Sequence, residues 1–279
     1  MKVKSGLYSV AGFTLPPGEA QSAEPDPKPW EKTEIVGKAL PRVDAYERVS
    51  GSAVYPSDVS LPNMLYAAIL RCPHPHARVK AVDTSQAEKM PGIHRVLTGS
   101  TPGCAIDWYY NWGASAKLFD PNCLFEGDEV AAVAAESPYQ AVDALRAIKV
   151  DYEILPFVAD ELKALEPQAP KLHEKGNQVG EVEKYQRGDV AKGFAEADIV
   201  LEESYSVSCL LHTPTEPHGC VVNWDGDRLT VWETTQGVFA IQDQIARTLG
   251  IPQSKVRVIG HYMGGGFGSK LDAGKYHIV

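Results

Sequence analysis

Apolar and polar positions along this chain change period several times, and each change marks an element. The run Asn63 to Cys72 is short, apolar and biased toward strand formers. Val130 to Ala135 is apolar over a strand's length behind the turn signal Gly127-Asp128. We therefore expect two strands, the second of them buried. The period then becomes helical: Ser137 can cap, Pro138 suits the first turn, and Ala141, Val142, Leu145 and Ile148 form one apolar face. Val150, Tyr152 and Ile154 alternate with Asp151 and Glu153, which predicts a half-buried strand. Strand, helix and strand in close order make a compact α+β domain.

From about Phe157 to Gly188 the chain is rich in Pro, Glu, Lys and Gly without a sustained period, as a linker would be. Beyond it, Tyr205, Val207 and Cys209 alternate with Ser204, Ser206 and Ser208, predicting a strand with one wet face. Cys220 to Trp224 and Arg228 to Glu233 flank Asp225-Gly226 and read as a hairpin. Val238, Ile241, Ile245 and Leu249 mark a helical stripe stopped by Gly250 and Pro252, and Val256 and Val258 open a strand that feeds a glycine cluster. Lys275 to Val279 looks like the opening of another helix. The stretch before Glu34, ending in the proline-rich Glu24 to Trp30, reads as an extended arm. The expected organisation is an arm over 1–34, an α+β domain over 35–160, a linker over 161–188, and the first, incomplete part of a second α+β domain over 189–279.

Composition narrows the function classes. A length of 279 residues suits one large or two ordinary domains, and 44% hydrophobic with 23% charged residues suits a packed core. A net charge of -9 sets a repulsive field against phosphate backbones, so nucleic acid is not the expected partner. No window approaches the ~18 consecutive apolar residues of a membrane span, and the first residues lead into no signal core. The expected location is the cytoplasm. Five widely spaced cysteines without a C-x-x-C pair give neither a disulfide framework nor a local iron-sulfur cluster.

The strongest chemical feature is Gly264-Gly265-Gly266-Phe267-Gly268-Ser269-Lys270. Residues without Cβ let backbone approach an extended ligand and expose N–H groups to anionic oxygens. Two nucleotide readings fail on residue identity: Ser269 stands where a dinucleotide fingerprint needs glycine, and Ser269-Lys270-Leu271 does not match the Gly-Lys-Ser/Thr of a P-loop. Taken alone, the loop also fits a tight strand-to-helix connection with no ligand.

Context adds a third reading. Thr235-Gln236 before a helix, followed by a strand and then Met263 to Gly268, resembles the xanthine dehydrogenase and aldehyde oxidase family of molybdopterin-binding large subunits. Val43-Asp44 with Val49-Ser50-Gly51, Leu65 to His76, and Gly127 to Val133 resemble the first, a/b hammerhead, domain of those subunits. The resemblance runs from about Ile35 to the end. It implies an α+β fold, a hammerhead domain followed by the start of a molybdopterin-binding domain, and hydroxylation of an aldehyde or an aromatic or N-heterocyclic substrate with water as oxygen source. Electrons would leave through 2Fe-2S clusters and FAD on partner subunits. The cofactor would be molybdopterin or its cytosine dinucleotide, with further C-terminal molybdopterin-binding domains completing the site. Gln236 would direct its amide toward the metal's apical oxo group, and Gly265, Gly266, Phe267 and Gly268 would lie against the metal and its pterin.

One position departs from the purine hydroxylases of the family, which have glutamate where this chain has Leu271. The departure points to a less polar aldehyde or aromatic substrate. The family's glutamate base would lie beyond Val279, so no turnover is expected of these residues alone. The alternatives are a non-catalytic scaffold subunit of the same fold, or a carbon monoxide dehydrogenase or hydroxybenzoyl-CoA reductase relative. His212 with Glu216-Pro217-His218 shows no H-E-x-x-H pattern or further convincing ligand group, and Pro217 favours a turn; the resemblance implies that this segment forms part of the cavity wall. Cys72, His74 and His76, stiffened by two intervening prolines, are assigned to packing.

Overall fold

The computed structural model describes residues 34–277, apart from 110–114, 175, 179 and 181, together with the short strands β1 (Ser9–Val10) and β2 (Phe13–Thr14), which pair antiparallel. The rest of the arm lies outside the described residues. The chain divides into two compact units, 1–53 and 54–279. In the first, helix α1 (Ala45–Ser50) ends at Gly51, whose φ of 77° suits a residue without Cβ.

The second unit opens with strands β3 (Tyr66–Arg71), β4 (Ala77–Asp83), β5 (Ile93–Thr98), β6 (Asp107–Tyr109), β7 (Ser115–Lys117), β8 (Asn122–Cys123) and β9 (Glu129–Ala135). The expected buried strand is β9, at the centre of the antiparallel sheet β3-β9-β5. Its alanines keep that sheet thin enough for helix α2 (Pro138–Ala147) to pack Ala141 and Ala144, both fully buried, close to it. Ser137 caps α2 by accepting from the Gln140 N–H. Val142 is exposed, and Ala144 takes the place it was given on the buried face. Strand β10 (Lys149–Ile154) follows and pairs with β4.

After a short exposed helix α3 (Val190–Ala195), which hydrophobic periodicity did not mark, the expected strand at Ser204–Cys209 does not form. The alternation is real, but among the described residues no strand pairs with this segment, and Tyr205 and Val207 stay exposed. A strand needs a ladder partner as well as a pattern. The hairpin does form, from β11 (Cys220–Asp225) and β12 (Arg228–Glu233), with Gly226 at φ 59° in its turn. Helix α4 (Val238–Leu249) then carries the chain over to β13 (Val256–Ile259), which lies parallel to β12. Ile241 and Ile245 of α4 pack on Leu229, Val231 and Val256, and Trp108 of β6 completes this core with no exposed surface. Lys275–His277 forms a single 3-10 turn where another helix was expected to open.

Candidate functional site

Because β12 and β13 are parallel, their carboxyl ends meet at one edge of the sheet, the place where α/β units present loops to ligands. The chain leaves β12 as Thr234-Thr235-Gln236 and leaves β13 through Gly260 toward the glycine loop. Gly260 lies so near β12 that a Cβ there would stand 3.2 Å from the Glu233 carbonyl oxygen. The two exits therefore run side by side.

Gln236 and the loop are joined by three hydrogen bonds. The Gln236 Oε1 accepts from the Gly268 N–H at 2.9 Å and the Lys270 N–H at 3.3 Å, and the Gln236 N–H donates to the Lys270 carbonyl at 2.9 Å. Two N–H donors converging on one amide atom require that atom to be oxygen, so the NH₂ points away from the loop. Gly266 packs directly on this amide: a Cβ there would lie 2.4 Å from Oε1. Phe267 adopts φ 53°, a region that bulky side chains avoid at a cost of about 1–3 kcal/mol, and its ring is 73% exposed beside Gly265. The loop thus holds an aromatic ring outward in a strained conformation, against a side-chain amide fixed by backbone.

Beneath the loop lies a network that sequence reading missed. The Lys270 side chain is fully buried, and its ammonium donates to the Thr234 hydroxyl at 2.7 Å, the Glu216 carbonyl at 2.9 Å and Glu216 Oε2 at 3.1 Å. The same carboxylate oxygen accepts from the Thr234 hydroxyl at 2.5 Å and the Gly264 N–H at 2.6 Å. Burial opposes the charge on Glu216. The bonds from Thr234, Gly264 and Lys270 outweigh it and hold the carboxyl below its ordinary value. A lysine in a glycine loop reads in sequence as a solvent or anion contact; its partner Glu216, 54 positions away, gives no local signal.

The segment around Glu216 borders the same loop. His212 Nε2 would lie 3.5 Å from a Cβ at Gly268, and His218 Nε2 meets the Ser269 carbonyl at 3.0 Å. Leu271 follows the buried lysine and is half exposed. The other weighed cluster disperses into packing, as expected: Cys72 is buried against Cys123 and Val130, His74 stacks edge-on against Tyr152, and His76 Nδ1 bonds the Pro156 carbonyl at 2.6 Å.

Comparison with known proteins decides what this arrangement belongs to. Residues 172–279 match the molybdopterin cofactor-binding domain, and residues 50–156 match the a/b hammerhead domain of aldehyde oxidase and xanthine dehydrogenase. This chain belongs to that family. The nicotinate dehydrogenase large molybdopterin subunit of Eubacterium barkeri is 37% identical over 246 residues, covering 86% of this chain and 56% of the relative. A Cu,Mo-CO dehydrogenase structure superposes with a TM-score of 0.77 at 32% identity, covering 87% of this chain and 33% of that one. The aldehyde oxidoreductase of Desulfovibrio gigas superposes with a TM-score of 0.72 at 27% identity, covering 82% of this chain and 27% of that one. The chain thus spans between about a quarter and just over half of the length of these relatives.

The residues at the edge of β12 and β13 fit the family's cofactor. The close approach at Gly266 leaves no room for a side chain between the loop and Gln236. The amide's donors are free of the loop, which suits oxygen acceptors on a pterin-bound metal and adds no charge beside it. Among the described residues no helix is long and apolar enough to cross a membrane.

Proposed function

We propose that this chain supplies one wall of the molybdopterin site in an oxidoreductase that hydroxylates an aldehyde or an aromatic or N-heterocyclic carbon with oxygen from water. The observation that carries the reading is the Gln236 amide, pinned through its oxygen by Gly268 and Lys270 beside the outward ring of Phe267. When bound, the molybdenum cofactor supplies the two-electron oxidant and activates water at neutral pH. Gln236 orients toward it as a neutral donor, and Gly265, Gly266 and Gly268 keep side chains out of the approach. Phe267 shields the site from water with an apolar ring. Leu271 offers no carboxylate to a ring nitrogen, which favours a less polar substrate over a purine.

The electron route proposed from here runs through 2Fe-2S and FAD subunits, with further molybdopterin-binding domains closing the site. The exposed apolar residues of the Tyr205–Leu211 segment support such additional chain, since a surface of that kind ordinarily meets a partner. The test is Gln236→Ala in the assembled complex. Molybdenum content should hold while anaerobic reduction by an aldehyde or N-heterocyclic substrate slows about 10- to 100-fold, the usual scale for losing a group that orients a metal's ligands. An unchanged rate of reduction removes Gln236 from the site, and absence of molybdenum from the unmutated complex removes the cofactor assignment itself.

A further inference from the structure

The hairpin register sets Cys220 of β11 directly opposite Glu233 of β12, so both side chains leave the same face of the ladder. The turn Lys275–His277 folds back onto that face. His277 and Glu233 are buried to within about one percent, with Nε2 and Oε2 2.5 Å apart. The Cys220 Sγ joins them, so that one ligand atom from each of the three residues lies within 4.8 Å of the others.

The orientation of the ring is fixed. His277 Nδ1 meets the Gly274 carbonyl at 2.6 Å, and a carbonyl can only accept, so Nδ1 carries a proton. Nε2 then faces Glu233, whose other oxygen already accepts from the Tyr276 hydroxyl at 3.0 Å. Despite the short gap, neither Nε2 nor Oε2 meets a hydrogen-bond partner in good direction among the described residues. A ring nitrogen and a carboxylate oxygen buried this close together need a positive centre at the pair, either a proton on Nε2 or a bound cation.

We infer that Cys220, Glu233 and His277 form a binding site for a divalent metal of the zinc class, distinct from the molybdenum cofactor. One thiolate, one imidazole and one carboxylate are borderline-soft donors that suit Zn²⁺, and two negative ligands neutralise its charge in a buried setting. Bonds of about 2.0–2.3 Å would set tetrahedral ligand atoms roughly 3.3–3.8 Å apart, so Nε2 and Oε2 separate by roughly 1 Å when the ion enters. Loading displaces the thiol proton to solvent. Cys220, Tyr276 and His277 also line a cavity of about 1040 Å³. None of Gln236 or Gly264 to Gly268 lines this cavity, so the two sites do not share a pocket. The ion ties the end of the β11–β12 ladder to the turn that follows the glycine loop, which gives it a structural role.

The test is metal analysis of the complex as it assembles, purified without chelators, in unmutated form and as Cys220→Ser and His277→Gln. The expected result is about one zinc per chain, lost in both variants while molybdenum is retained. Cobalt(II) exchanged into the site should show a thiolate charge-transfer band that Cys220→Ser abolishes. Zinc well below stoichiometric with no cobalt uptake would overturn the site and leave a shared proton between His277 and Glu233. Zinc that persists in both variants would overturn it too, by placing the ion elsewhere. Because zinc and molybdenum are read separately, failure here and failure of the cofactor assignment are distinguishable.

Discussion

At the scale of single residues, the site depends on atoms that are missing as much as on those present. Gly266→Ala would drive a methyl to 2.4 Å from the Gln236 oxygen, and the contact is with a side chain that two backbone N–H groups hold in place. We expect this substitution to displace the amide and, as with Gln236→Ala, to slow anaerobic reduction by substrate in the assembled complex while molybdenum content holds. A rate of reduction equal to that of the unmutated protein would mean that the loop yields at no cost. Glu216 works from the opposite side. In Glu216→Gln the Lys270 ammonium stays buried without its counter-charge, which should cost about 3 kcal/mol in a denaturant titration. The sign with pH follows from the lowered carboxyl of Glu216: the folded state holds its proton less tightly than the unfolded chain. Its stabilisation is therefore complete above the ordinary carboxyl value of 4.5 and fades as pH falls through the lower folded value. The gap between unmutated and Glu216→Gln proteins should narrow as the solution is acidified, and a constant gap would place the effect in packing instead of charge.

At the scale of elements, the core of the molybdopterin-binding part is completed from outside its own stretch of sequence. Trp108 of β6 is fully buried among Leu229, Val231, Ile241 and Ile245, although it precedes them by more than a hundred positions. Trp108→Ala should cost about 3–5 kcal/mol, the usual range for deleting a buried aromatic side chain. Among the described residues its buried Nε1 meets no hydrogen-bond partner, so Trp108→Phe should retain much of that stability; equal losses in the two variants would show that the indole N–H matters after all. This dependence also explains what sequence could and could not reveal. Helices α2 and α4, strand β9 and the β11–β12 hairpin were legible, because each carries its signal locally in period, cap or turn. The Gln236 to glycine-loop pairing was legible through family resemblance. Trp108, the Glu216–Lys270 pair and the Cys220–Glu233–His277 cluster were not, since each is created by contacts distant in sequence. The segment Ser204–Cys209 shows the reverse failure, a local pattern whose partner strand is not among the described residues.

At the scale of the whole second unit, the hammerhead part and the turn after the glycine loop are joined by a buried charge. Lys275 is almost wholly enclosed, with its ammonium 3.1 Å from Glu129 and 3.9 Å from Asp128 at the start of β9. Burial pushes the Asp128 carboxyl above its ordinary value, while the Leu124 N–H and Lys275 pull it back. Lys275→Met keeps the aliphatic length and removes the charge, leaving Asp128 without a cation while Glu129 keeps Arg71 at 2.9 Å. The loss should be about 3 kcal/mol near neutral pH, as for other buried pairs that lose one partner. Without Lys275 the Asp128 carboxyl must rise further, so the folded variant takes up a proton that the unfolded chain does not. A carboxyl raised by folding is tolerated at low pH and becomes costly as pH climbs through its folded value. The penalty of Lys275→Met, read against the unmutated protein, should therefore be smaller at pH 5 than at pH 7. Urea titrations at the two values decide it. A penalty independent of pH would mean that Lys275 joins the two parts by its methylenes alone, and that the carboxylates at the head of β9 reach solvent when it is gone.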